Sequence, residues 1–508
     1  MKHYLIEIDA YNLATLATET VYFSDKAFNT TASDTPANVS YIARATQPFS
    51  IRRNLFNGDR IGGRSVPASG ELVLLNNDGA LDYLTDYSFN TRQFRIYQAT
   101  YVEGGQPRSN FTKIYQGVTE QLEFSEDTIS IKLRDRLYVF DKPLQTNLYG
   151  TSGVNTVEGQ PKPLVFGRVQ GIRPTYTNTS TRTFQVNDGA YTSVVVRDRG
   201  VVLTAGVNYS EDGAGSFTLT GVPAGVIECD SLKNSPYTST SDLAAVFQWI
   251  VRDYAGLSVG DIDTASFAAL PSNPQVGVYI NAETKIVDVL DFLATTIGAF
   301  YYFDRDDKLT IGRFDLPESI QTADATIDTI KSLNREQTAI PVWSVVYGYS
   351  KRYTTLTQTD LAGSVSQFDA SLFSQEQLTK KSEDSTIKTP YPNARRLEYD
   401  SAASVSEAIF AQAEANRLLV LYRDQRDVFK MEIAADPFTF ELAQTIQIVQ
   451  MRYSFEFGRN FRIVEITDVG TSDLVSLTLW GPGRGILLLE DGANFLFEDG
   501  SGFFALET

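Results

Sequence analysis

Apolar and polar residues alternate with a period of two through much of the first 225 residues, in short runs broken by Gly, Asn, Asp and Pro. Ile129, Ile131 and Leu133 alternate with Ser130, Lys132 and Arg134, which puts one face in a core and the other in water. Residues 4–9, 71–74 and 112–115 also read as strands, and Asn77-Asp78-Gly79 and Glu103-Gly104-Gly105 are turn signals between them. Short strands at this spacing predict barrels or sandwiches. A Gly/Thr/Asn-rich stretch at 150–160 reads as a linker into a second β unit, with strands at 194–196, 201–203 and 217–219.

The period then changes. Leu243, Val246, Phe247, Ile250, Val251 and Tyr254 recur at steps of three and four, a helical stripe. Thr240 or Ser241 is its expected cap, and Gly256 suits the left-handed position beyond its end. Ile286, Leu290, Leu293 and Ile297 mark a second helix stopped by Gly298, followed by a strand at 299–303, the turn Asp304-Arg305-Asp306-Asp307 and a strand at 309–311. Strands resume at 341–347. A long helix is predicted over 405–423, with Val405, Ala408, Ile409, Ala415, Leu418, Leu419 and Tyr422 as its apolar positions, and strands follow at 461–466 and 475–480.

The last residues carry a repeat: Leu489-Glu490-Asp491-Gly492 returns as Phe497-Glu498-Asp499-Gly500. The triplets Leu487-Leu488-Leu489 and Phe495-Leu496-Phe497 precede each Glu-Asp-Gly, and Phe503-Phe504 begins a third, incomplete copy. Asp-Gly is a favoured hairpin turn, so 482–508 reads as an acidic meander. It is too short to fold alone and needs another surface. Leu487, Leu488, Leu489, Phe495, Leu496, Phe497, Phe503 and Phe504 are therefore the candidate partner-docking residues.

These textures divide the chain into an N-terminal β-barrel domain (1–149), a second β domain (150–225), an α+β domain (226–335), a β-barrel domain with one long helix (336–481) and the tail (482–508). At 508 residues, several cores are expected. The net charge of −18 repels phosphate backbones and speaks against nucleic acid as a partner. No run approaches the roughly 20 apolar residues of a membrane span. Glu7 stands where a signal peptide needs an apolar residue, which predicts folding in the cytoplasm.

Catalytic and metal chemistry finds few residues to use. The single cysteine, Cys229, excludes an intrachain disulfide or a CxxC cluster and reads as a small buried hydrophobe. The single histidine, His3, is expected on the surface of a mobile terminus. The 304–307 turn imitates a calcium loop, but Asp315 stands where a bidentate Glu is needed, so a plain turn is expected. Asp212-Gly213-Ala214-Gly215 lacks the Lys-Ser/Thr of a phosphate loop. A glycosidase needs only two carboxyl groups at ~5–10 Å, and Glu120 with Glu123, or Asp253 with Asp261, are the candidate pairs. The expectation is no catalytic, cofactor-binding or metal residue, and aromatic residues that fill cores in preference to stacking sugars.

Several segments resemble the tail-tip or baseplate-hub proteins of long-tailed (siphovirus-like) bacteriophages. Asn57-Gly58-Asp59-Arg60-Ile61-Gly62-Gly63-Arg64-Ser65-Val66-Pro67, continuing to Asp82, looks like their first β domain. Residues 159–167 are similar to a segment that follows it. Residues 262–267, 278–280 and 298–300 resemble their middle domain, and 414–418 with 477–481 resemble the last barrel. The resemblance implies a mainly β fold of two hub-type barrels, with a sandwich-like β insertion and an α+β domain between them. It implies a homotrimer at the virion's tail tip that closes the tube, meets distal tail and tail-tube proteins, and holds fibre or receptor-binding proteins. Some related tip proteins carry a cysteine-ligated iron–sulfur cluster, which Cys229 alone cannot supply. A tail-associated cell-wall hydrolase and a host-receptor-binding module are the rival readings.

Overall fold

The computed structural model describes residues 1–56, 63–150, 157–271, 273–318, 323–336, 340–399, 405–453 and 455–482. Its largest element is a 16-stranded sheet to which both ends of the chain contribute. Lys2–Asn12 lies between Ala17–Ser24 and Gln93–Thr100. The sheet then passes through Thr112–Phe124, Thr128–Arg134 and Val66–Leu75 to Ala45–Asn54. There it crosses to the other end of the chain. Ala45–Asn54 pairs antiparallel with Phe455–Val469, which is followed by Leu474–Pro482, Arg426–Ala434 and Ile330–Arg335.

The two halves have separate cores. Ile6, Ile8, Phe49, Leu72, Phe94, Ile96 and Ile131 fill one. Phe429, Met431, Ile446, Phe461, Ile463, Leu477 and Leu479 fill the other. The alternation read from 129–134 is observed: Ile129, Ile131 and Leu133 are buried and their neighbours half-buried. In place of the two expected barrels, the described residues form two halves of one open sheet. Among the described residues no sheet closes on itself, because the outermost strands, Ile330–Arg335 and Phe28–Asn29, each pair on one side only.

The α+β unit packs α1 (Leu243–Asp253), α2 (Thr264–Ala268) and α3 (Ile286–Thr296) against Ala299–Phe303 and Leu309–Arg313 around a shared apolar core. The cap of α1 is Asp242, one residue beyond the expected position. Its carboxylate accepts from the Ala245 N–H (2.9 Å), while the Thr240 hydroxyl donates to Asp242 (2.6 Å). Gly256 and Gly298 take the left-handed conformation that stops each helix. Beside this unit, a five-stranded and a four-stranded sheet enclose a core containing Cys229. Ile227–Lys233, a strand the patterning does not single out, pairs with both Ser193–Asp198 and Leu164–Ile172.

The fourth layer is a three-stranded sheet, Leu378–Glu383, Val342–Tyr349 and Arg395–Tyr399, next to α4 (Gln367–Phe373) in the chain and covered by α5 (Ala408–Tyr422). Helix α5 begins three residues later than expected. Val405 lies outside it, bridging to Val276. Ile409, expected on the buried face, is 87% exposed.

Phe438 locks the two halves of the large sheet together. It sits in the C-terminal half yet belongs to the N-terminal core, against Phe49 (5.3 Å) and Tyr115 (5.0 Å), while Phe440 enters the C-terminal core. Its backbone holds a positive φ of 58°, sustained by its N–H donating to the buried Asp468 carboxylate (2.8 Å). We expect Phe438→Ala to lower unfolding stability by about 3–5 kcal/mol, the usual loss for a buried Phe. Urea titration checks this; a cost below ~1 kcal/mol would show that the ring does not join the cores.

Candidate functional site

The candidate carboxylate pairs are each committed elsewhere. Glu120 pairs with Arg134 (3.1 Å), and Glu123 shares Lys132 with Glu71 (3.2 and 2.9 Å). Asp253 accepts from Trp249 Nε1 (3.0 Å) and from the Tyr237 hydroxyl. Asp261 accepts from Arg136 (2.9 Å) and from the Ser258 backbone (2.8 Å). These donors hold the Asp261 carboxyl below its ordinary range despite its partial burial. Cys229 is fully buried, and burial pushes its thiol well up. Among the described residues no group of three or more His, Cys, Asp or Glu side chains is placed to hold a metal ion.

His3 departs from expectation. It lies inside the Lys2–Asn12 strand, 2% exposed, with its ring 5.0 Å from Phe111 and 5.7 Å from Phe28. Burial lowers its basicity, against the pull of Asp25. The terminus is held because its strand pairs on both sides, with Ala17–Ser24 and Gln93–Thr100.

The 304–307 turn is more than a connection. Asp304 spends its carboxylate on its own turn, accepting from the N–H groups of Asp306 (2.8 Å) and Lys308 (2.9 Å). The Arg305 carbonyl accepts from the Gln116 N–H (2.8 Å), and the Arg305 guanidinium donates to the Phe438 carbonyl (2.8 Å). Asp306 pairs with Lys113 (3.1 Å), and Asp307, at a φ of 59°, pairs with Arg136 Nε (2.8 Å). The tip of an α+β hairpin thus grips both halves of the large sheet.

Around it are charges that face inward. Arg53 is 2% exposed, paired with Glu441, 3.8 Å from Asp468, and over the Phe438 ring (5.6 Å). Asp135 accepts from the Ala68 (2.7 Å) and Leu137 (3.0 Å) N–H groups. Burial pushes Asp135 and Asp468 up to about 6 and Asp307 up to about 7, outweighing the cations beside them. Arg53, Asp135 and Asp468 were missed at the sequence level. Their signal was strand parity: Arg53 shares the inward register of Ile51 and Leu55, and Asp135 that of Ile131 and Leu133.

Among the described residues, exposed apolar side chains occur at several places, two of them on defined elements. Leu13 (55% exposed) and Leu16 (70%) form the tip of the first hairpin. On α5, Ile409, Ala413, Asn416 and Val420 face solvent along one side. The docking candidates Leu487, Leu488, Leu489, Phe495, Leu496, Phe497, Phe503 and Phe504 lie outside the described residues, as do 57–62 of the first resembling segment. No helix among the described residues is long and apolar enough to cross a membrane.

No family model matches the chain, and no curated protein matches it. The solved structures it is similar to include tail proteins. One is the tail protein from Neisseria meningitidis MC58, with 8% identity over 94% of this chain and 97% of that one and a TM-score of 0.42. Another is the 43 kDa tail protein of prophage MuSo2 from Shewanella oneidensis, with 11% identity, coverage of 93% and 98%, and a TM-score of 0.39. A third is a prophage tail protein from Listeria monocytogenes EGD-e, with 9% identity, coverage of 94% and 95%, and a TM-score of 0.38.

The junction carries a pH dependence of defined sign. An unfolded Asp titrates near 3.8 and folded Asp307 near 7, so the folded state binds the proton more tightly. This contribution is fully present below pH ~4 and is lost as pH rises through ~7. His3 acts oppositely, weakening the fold as pH falls below its ordinary value of 6.5. Asn tolerates a positive φ, so Asp307→Asn removes the proton while keeping the turn. We expect the wild type to lose stability relative to Asp307→Asn between pH 5 and 8 in urea titrations; parallel pH profiles would contradict the buried-carboxyl account.

Proposed function

We propose that the chain is a structural subunit of a bacteriophage tail tip, a baseplate-hub protein that closes the tail tube and anchors fibre or receptor-binding proteins. The observation that carries this reading is the pairing of Ala45–Asn54 with Phe455–Val469, which makes both ends of the chain one frame. The α+β unit, the two-sheet unit and the α5 layer are all inserted between those strands in sequence. A frame of this kind fixes several surfaces relative to one another, which is what a connector between unlike partners requires. The segment resemblances noted above supply the identity of the assembly.

Copies of the frame would meet as a homotrimeric ring, in which the two one-sided outer strands find neighbours. On this reading the two halves of the sheet continue the wall of the tail tube as hub-type barrels. The inserted units face outward to distal tail and fibre proteins. The subunit is assembled in the host cytoplasm and resides at the tail tip of the virion. The residues Leu487–Leu489, Phe495–Phe497, Phe503 and Phe504 form its contact ribbon. A cell-wall hydrolase finds no support in the committed carboxylates, and a direct receptor-binding role is favoured by no particular residue.

Cryo-electron microscopy of the assembled particle tests this. The expected result is three copies ringed at the end of the tail tube. Absence of the chain from the particle, or muropeptide release by the purified protein that Glu120→Gln or Asp253→Asn abolishes, would overturn it.

A further inference from the structure

Helix α5 carries apolar residues on more than one side, and among the described residues one of those sides has no cover. Ala411, Ala415, Leu418 and Leu419 face the three-stranded sheet. On the opposite side Ile409 is 87% and Val420 46% exposed, with Ala413 and Asn416 between them. The steps of four, three and four place all four within one arc of the helix, a strip about 16 Å long.

The large sheet delivers the rest of the chain to the end of that strip. Leu474–Pro482 runs antiparallel to Arg426–Ala434, with Pro482 opposite Arg426. Arg426 lies four positions past the end of α5, and its guanidinium donates to the Leu421 (3.1 Å) and Val420 (3.3 Å) carbonyls. The chain therefore leaves the sheet beside the C-terminal turn of α5. Leu487 lies five positions beyond Pro482, a reach of about 17 Å for extended backbone. The first apolar triplet that follows the sheet thus matches the strip in distance and in character.

We propose that Leu487-Leu488-Leu489 of the same chain packs on the Ile409–Ala413–Val420 face of α5, leaving the two Phe-bearing repeats to reach beyond it. The inference rests on reading 482–508 as an apolar ribbon that needs a surface, and it divides that ribbon: the Leu triplet meets its own chain, and Phe495–Phe497, Phe503 and Phe504 remain for the partner. The short tether favours the same chain over a neighbour, because it holds the triplet at an effective concentration on the order of millimolar.

Cys229 is buried, so introduced thiols report without interference. In the full-length chain, Val420→Cys with Leu488→Cys is expected to form an intrachain disulfide under mild oxidation, at a yield unchanged by dilution. Separately, Ile409→Cys is expected to react with a hydrophilic maleimide on the order of tenfold faster when Leu487, Leu488 and Leu489 are all replaced by Ser. A disulfide only between chains, or an Ile409→Cys rate indifferent to the serine replacements, overturns the proposal. Both measurements use the isolated protein, so they stand or fall apart from the tail-tip assignment.

Discussion

The structure depends on five backbone pairs, from Asn54 opposite Glu465 to Ser50 opposite Val469. They join strands more than four hundred residues apart in sequence, and everything between is hung from that seam. Forming it requires closing a very long loop, whose entropy grows only slowly with length. The cost is offset by the apolar faces on both sides: Ile51 on one strand, Leu55 just past its end, and Ile463 and Ile466 on the other strand are almost wholly buried. The seam is then secured in depth by Phe438, a residue of the C-terminal half whose ring packs in the N-terminal core.

Charges buried at such a seam are expensive unless paired, and the arrangement here shows how the cost is contained. Arg53 faces Glu441, Asp468 and a carbonyl, Asp135 receives two backbone N–H groups, and Asp307 meets Arg136. Their perturbed titration accompanies burial between layers, and structural ion-pair networks shift pKa values as active sites do. The 304–307 turn illustrates this: its acids resemble a cation loop in sequence, and in the fold they bind their own backbone, a lysine and an arginine.

Much of the architecture was legible in the chain because local periodicity reports local burial. The β texture, the helices at 243–253 and 286–296, the stops at Gly256 and Gly298 and the buried Cys229 all follow from patterns within a few residues. What was not legible depends on distant partners. His3 is buried because strands at 17–24 and 93–100 flank it, which no feature of the first few residues declares. Phe438 sits in an irregular segment whose partners lie on the opposite half of the sheet. Ile409 obeys the helical period yet faces water, since the same spacing fits the covered and the uncovered side of a helix with apolar residues on both. The inward charges were visible by parity, although a buried Arg or Asp in a strand is usually passed over as its wet face.

Native-state hydrogen exchange across the seam tests most directly whether the chain is one frame. Amides of 50–54 and 465–469 should exchange last, with equal free energies that match global unfolding. Separate unfolding of the N-terminal and C-terminal halves, with the seam amides exchanging ahead of either core, would contradict it.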